Sequence, residues 1–267
     1  MKRLYFIIAT LFLPLAVPNT ASAQSVVPDP KIADVVKDVR GRTEGVVEWS
    51  VTKDLALEAG IEARFMDDMR SMDRLHTFVG ATYDIGKHVK VGGEYIHINL
   101  YDTEAKSWND RRHRVNLNVE GNVEFGDLEL SLRERVQATY RTDSVNRYEK
   151  CDPEAILRSR LMAVYKIPGT SWSPYILFEL HNTLNAPKPV ANFKTDKFET
   201  ENYITRYRGG IGAKYRINRN NRLDFYYYID FDRSYNIDYK GNSGNIRSLV
   251  MERELRHIFG VSYKFKL

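Results

Sequence analysis

Three Arg-x-Arg pairs carry the most chemistry in this chain: Arg133-Glu134-Arg135, Arg158-Ser159-Arg160 and Arg206-Tyr207-Arg208. A guanidinium is a planar fork of donors that grips a carboxylate or phosphate through parallel hydrogen bonds. Two residues apart on a strand, both forks of a pair point to one face. Carboxylates and further bases recur in the same phase along the chain. The set comprises Glu58, Glu62, Arg64, Arg112, Arg114, Glu120, Glu124, Glu129, Arg133, Arg135, Arg158, Arg160, Glu179, Arg206, Arg208, Lys214, Arg216, Asp224, Asp230 and Asp232. Such a ladder does one of two things. It cross-pairs into a network that fills and stiffens an interior, or it lines a narrow pore that favours anions.

Covalent chemistry finds less to work with. A lipid hydrolase needs a nucleophile, a base within hydrogen-bond reach and an orienting group. Ser159 and His113 share a face, but the segment 128–141 separates them at ~4.7–4.9 Å per strand. His181-Asn182 has no serine beside it. Hydrolysis stays open only as the competing class, because fold does not decide function. No metal-ligand spacing, phosphate-cradling glycine loop or nucleotide fingerprint occurs, so neither a metal nor a cofactor is expected. Gly209-Gly210-Ile211-Gly212 sits within a strand, where glycines mark close packing or a bend. The 185–202 loop, with Lys188, Lys194, Lys197, Phe193 and Phe198, is either an ordinary solvated loop or a contact for lipopolysaccharide phosphates.

The elements that must position these residues are strands. Eleven segments alternate polar with apolar: 43–52, 55–66, 74–85, 89–100, 111–125, 128–141, 154–167, 174–184, 203–217, 222–234 and 251–267. Many exceed the mean soluble strand of ~5–6 residues and meet the ~9–11 that a tilted transmembrane strand needs. Short turns at 53–54, 86–88, 126–127, 168–173 and 218–221 alternate with longer loops at 67–73, 101–110, 142–153, 185–202 and 235–250. That is the pattern of short periplasmic turns and longer external loops. On 128–141 one face reads Leu128, Leu130, Leu132, Val136, Ala138 and Tyr140, interrupted by Glu134. The other face reads Glu129, Ser131, Arg133, Arg135, Gln137, Thr139 and Arg141.

Aromatic residues share an offset on the apolar face. Tyr83, Phe125, Tyr165 and Tyr215 fall one to three residues before a short turn, and Tyr263 and Phe265 hold the matching place near Leu267. This is the expected form of an interfacial aromatic girdle. The reading is therefore all-β: a closed antiparallel transmembrane barrel of ten to twelve strands. Twelve is the expected count, because bacterial single-chain barrels have even numbers. Residues 24–42 then hold either a weak strand or a short helix, with Ile32, Val35, Val36 and Val39 at helical spacing after Asp29 and Pro30. The barrel domain is drawn over 43–267.

Export fits that destination. Met1-Lys2-Arg3, the apolar run 4–17 and Ala21-Ser22-Ala23 form the three parts of a secretory leader, with cleavage expected after Ala23. The single Cys151, flanked by Asp and Pro, excludes an intramolecular disulfide and reads as an exposed loop residue. Forty basic and 35 acidic residues give a net charge of +5. The two signs alternate along strands instead of forming a stripe, which reads as solvated charge and not as a nucleic-acid surface.

The Arg-x-Arg pairs, together with Tyr175–Glu179, Gly209–Tyr215 and Phe259–Phe265, resemble a family of small Gram-negative outer-membrane barrels catalogued as a domain of unknown function. The resemblance spans roughly 44–267 and rests on pattern and order. It implies fold and location and brings no catalytic residue. The expected role is an integral outer-membrane barrel, structural or a narrow solute pore, with a lipid hydrolase or a loop-mediated surface binder as alternatives. A wide general porin, built from 16–18 strands, is not expected. The implied partners are outer-membrane lipids, lipopolysaccharide and, during insertion, the barrel-assembly machinery.

Overall fold

The computed structural model describes residues 27–267, so the leader expected over 1–23 lies outside the described residues. Eleven strands follow in order: β1 (Lys31–Ser50), β2 (Leu55–Met66), β3 (Ser71–Ile85), β4 (Val89–Asp102), β5 (Ser107–Phe125), β6 (Leu128–Arg141), β7 (Glu154–Tyr165), β8 (Trp172–Pro187), β9 (Thr200–Arg216), β10 (Asn221–Tyr239) and β11 (Ile246–Lys266). Each pairs antiparallel with its sequence neighbour, and β1 closes the barrel against β11.

That closure corrects two expectations. The described strands number eleven, not twelve, and the β1–β11 seam is parallel, from Lys31↔Val250 to Glu48↔Lys266. The reason is parity: an odd meander returns its last strand in the direction of its first. Residues 31–42 form strand and not helix, and β1 runs through the boundary drawn at residue 43. Their β-branched Ile32, Val35, Val36 and Val39 suit a strand, and the β11 edge supplies hydrogen-bond partners that a helix would forgo.

The eleven expected segments all appear, most of them longer at one end. The loops expected over 67–73 and 101–110 shrink to 67–70 and 103–106 because the hairpins continue pairing past the apolar stretch. At the opposite end the connections are short. Gly126-Asp127 is a two-residue loop with φ of 61° at Gly126, which suits the first position of a II′ hairpin turn.

The wall separates two chemistries. Leu117 and Ile176 on the exterior are each 63% exposed, and Val79, Leu161 and Ile211 stand out alongside them. Alternate positions point inward, where Val46, Phe78, Ile96 and Ile98 form one buried cluster and Met162, Val164, Tyr175 and Leu177 another. A third apolar cluster lies among the longer loops: Tyr148, Ile237, Tyr239 and Leu249, joined by Phe193 and Phe198.

Candidate functional site

Period-two alternation carries the charges inward, and register decides which of them meet. Arg208 and Asp230 are direct cross-strand partners. Arg208 donates from Nε to Oδ1 and from Nη2 to Oδ2, both at 2.7 Å. Arg206 donates to Asp232 at 2.5 Å. Glu179, 1% exposed, is the hub of the layer. Its carboxylate receives Arg158 at 2.8 Å, Arg133 at 3.2 Å, Arg208 at 3.4 Å and His181 Nε2 at 2.7 Å. Counted from the short-turn ends of their strands, Arg42, Arg158, Glu179, Arg208 and Asp230 all lie seven to nine residues in.

Several arginines face other arginines directly. Arg133↔Arg160 and Arg135↔Arg158 pair across β6 and β7, and Arg42↔Arg64↔Arg74 runs across β1, β2 and β3. Like charges directly opposite destabilise a sheet, so interposed carboxylates are required. Glu120 takes Arg160 at 2.9 Å, Glu94 takes Arg135 at 3.6 Å, Glu62 takes Arg64 at 2.7 Å and Asp73 takes Arg74 at 2.8 Å. Compensation is incomplete. The buried Nε–H groups of Arg64, Arg133, Arg135, Arg158, Arg160 and Arg256 find no acceptor among the described residues.

Above this layer, toward the longer loops, the interior opens into a cavity of about 750 Å³. Eleven arginines line it: Arg42, Arg64, Arg74, Arg112, Arg114, Arg141, Arg158, Arg206, Arg208, Arg233 and Arg256, together with Lys150. Six carboxylates oppose them: Glu149, Glu154, Asp232, Asp238, Glu252 and Glu254. The vestibule is thus formally cationic. Below it, Tyr226 and Tyr228 stack at 4.5 Å, and Tyr175 donates to Asp224 at 3.0 Å. These rings lie flat in notches left by glycines. A Cβ on Gly260 would run into Tyr226, one on Gly210 into Tyr228, one on Gly212 into Tyr175 and one on Gly60 into Phe78.

The family model described as protein of unknown function (DUF2490) matches residues 45–240. The chain belongs to this family. Among solved structures it is similar to one titled "NanC porin structure in rhombohedral crystal form", at 13% identity and a TM-score of 0.44, covering 86% of this chain and 99% of that one. No curated protein matches it.

In this DUF2490 barrel the residues singled out from sequence distribute unevenly. Glu58 meets Lys264 at 3.3 Å, Glu129 meets Lys166 at 3.1 Å, and Arg112 meets Asp110 at 2.8 Å. Among the described residues the Arg114 side chain reaches only Thr139, at 3.2 Å. Arg216 departs from the expectation: it is exposed at the short-turn end, because it is the last residue of β9. Tyr83, Phe125, Tyr165 and Tyr263 are exposed on the exterior at that end. Tyr215 packs on Trp172 at 4.6 Å, and Phe265 is half-buried.

The nucleophile candidates do not assemble. Ser159 donates to Glu134 Oε2 at 2.6 Å, which satisfies the carboxylate interrupting the apolar face, while His113 shares a 2.6 Å hydrogen bond with Tyr95. His181 points inward to Glu179. In the loop segment, Phe193 and Phe198 pack on Tyr148 at 5.8 and 5.3 Å instead of facing outward. Lys194 donates to the Asn242 carbonyl at 2.6 Å.

Sequence reasoning missed Arg40, Arg42, Glu44 and Glu48 on β1, His76 on β3, Glu94 on β4, and Glu254, Arg256 and Lys264 on β11. The alternation Arg40, Arg42, Glu44, Val46, Glu48 is a readable signal once 31–42 is taken as strand.

Proposed function

We propose that this protein is an integral outer-membrane barrel acting as a narrow, anion-preferring solute passage entered from the side of its longer loops. The observation that carries the reading is the vestibule lining of eleven arginines and one lysine against six carboxylates. A ring of fixed charge selects ions of the opposite sign, and a cleft of one sign concentrates them. An exterior of large apolar side chains, ending in aromatics beside the short turns, supports a place in lipid with those turns on the periplasmic side. The leader supports export. Surrounding outer-membrane lipids, lipopolysaccharide at the loop rim and the barrel-assembly machinery are the partners this location brings.

One observation favours a second reading. The lower interior is filled by Tyr175, Tyr226, Tyr228, Met162 and Val164, as in a scaffold that does not conduct. Planar-bilayer recording of the refolded protein decides between them. The passage predicts small steps whose reversal potential in a salt gradient reports anion preference, weakened in Arg112→Gln/Arg233→Gln, which removes two of the vestibule arginines. A silent wild-type protein rejects the passage in favour of the scaffold. A phospholipid-release assay on wild type and Ser159→Ala tests the hydrolase alternative, and the passage reading expects no release from either.

A further inference from the structure

Within the vestibule, two guanidinium groups stand apart from the ionic network. Arg42 makes no hydrogen bond or ion pair among the described residues, and Arg114 has only the Thr139 hydroxyl. Both line the same cavity, and both lie within electrostatic reach of Arg64, whose Nε–H is buried without an acceptor. The carboxylates whose charge acts on them, Glu62 on Arg42 and Glu154 on Arg114, are engaged elsewhere. Glu62 holds Arg64 and His76, at 2.7 and 3.3 Å, and Glu154 lies 3.7 Å from Arg141.

Arg42 and Arg114, each repelled by Arg64 and lining the same water-accessible cavity, cost the fold stability unless negative charge is shared among the three. A single carboxylate satisfies one fork. We propose that Arg42, Arg64 and Arg114 form a binding seat for a small solute carrying at least two oxyanion groups, carboxylate or phosphate, which reach the Arg42 and Arg114 walls together. The cavity volume of about 750 Å³ fits a ligand of that size and excludes a polymer held whole. This seat rests on the reading of the vestibule as anion-selective, and adds to it saturable recognition where a plain charged pore would only filter.

The experiment is calorimetric titration of the refolded, detergent-solubilised protein with pyrophosphate and, separately, with citrate, using chloride and a neutral disaccharide as controls. Saturable binding of one or both polyanions is expected, weakened at least tenfold in Arg42→Gln and in Arg114→Gln. Arg219→Gln, a short-turn arginine outside the vestibule, is expected to bind like wild type. Arg42→Lys keeps the charge and loses the fork, so partial retention is expected. Heat-modifiable migration on gels confirms that each variant is folded. Absence of saturable binding at ligand concentrations up to about 1 mM, or equal weakening by Arg219→Gln, overturns the seat. Anion-selective conductance without saturable binding removes the seat and keeps the passage. Saturable binding by a protein silent in bilayers removes the passage and keeps the seat.

Discussion

Arg208 and Asp230 face each other on adjacent strands and close a two-pronged ion pair, both contacts 2.7 Å, with Asp230 0% exposed. The pair is tied on one side to Arg206, 3.6 Å from Asp230, and on the other to Glu179. Removing one partner of such a pair leaves an uncompensated buried charge, which costs about 3–5 kcal/mol, whereas exchanging both for apolar residues is often neutral or stabilising. Asp230→Asn is therefore expected to lower the urea midpoint of the refolded barrel, and Arg208→Met/Asp230→Leu to recover most of the loss. A double variant no better than Asp230→Asn would show that the pair matters for more than its own charge balance.

The glycine notches give a steric prediction. Gly260→Ala sets a methyl group against the Tyr226 ring, and overpacking of this kind costs about 1–3 kcal/mol. Gly209, whose Cβ would meet nothing within 4 Å, is the matched control. Gly260→Ala is expected to destabilise, Gly209→Ala to have little effect, and Tyr226→Ala to relieve Gly260→Ala. If the rings form the floor of a passage, Tyr226→Ala/Tyr228→Ala also raises the unit conductance in bilayers.

The particular strands show what sequence could disclose. On β6 the faces separate by inspection, because one is Leu, Val and Ala and the other Glu, Arg and Gln, and the strand spans 128–141 as expected. β1 was half hidden. Its apolar Ile32, Val35, Val36 and Val39 satisfy helical spacing as well as strand propensity, and only pairing with β11, more than two hundred residues away, decides between them. Register is the other hidden quantity. Alternation shows that Glu179 points inward, yet nothing in its own segment shows that Arg133, two strands away, and Arg208, on the next strand, converge on it. Arg216 keeps the inward phase yet lies exposed at the rim, and phase alone does not report where a strand ends.

Cys151 offers a native probe of the vestibule, since it lines the cavity and is a free thiol. Burial and, next, the Glu154 carboxylate push the thiol above its ordinary value. The thiolate is the reactive form, so little reacts at pH 7, and the rate rises about tenfold per pH unit until the raised value is passed. A sulfonate-bearing methanethiosulfonate reagent is expected to modify Cys151 faster than a trimethylammonium one, by about tenfold at low salt. The ratio shrinks as added salt screens the arginines. A faster cationic reagent would mean that Glu149 and Glu154 dominate the field at the mouth.

Strand parity supplies the sharpest test of the fold. β1 starts at Lys31 on the side of the longer loops, and β11 ends at Lys266 on the side of the short turns. An even meander would instead place both ends together. An epitope inserted before Lys31 is expected to bind antibody on intact cells, and one placed after Leu267 to bind only after the outer membrane is opened. In a Cys151→Ser background, cysteines at Val39 and Phe259, on strands whose register joins Val39↔His257 and Gly41↔Phe259, add a direct measurement, because spin labels there report a short separation only if β1 and β11 are neighbours. Antibody access to neither end on intact cells, with labels far apart, would mean that a further strand intervenes at the seam. The parallel closure, and the placement of Arg42 beside the vestibule, would then have to be redrawn together.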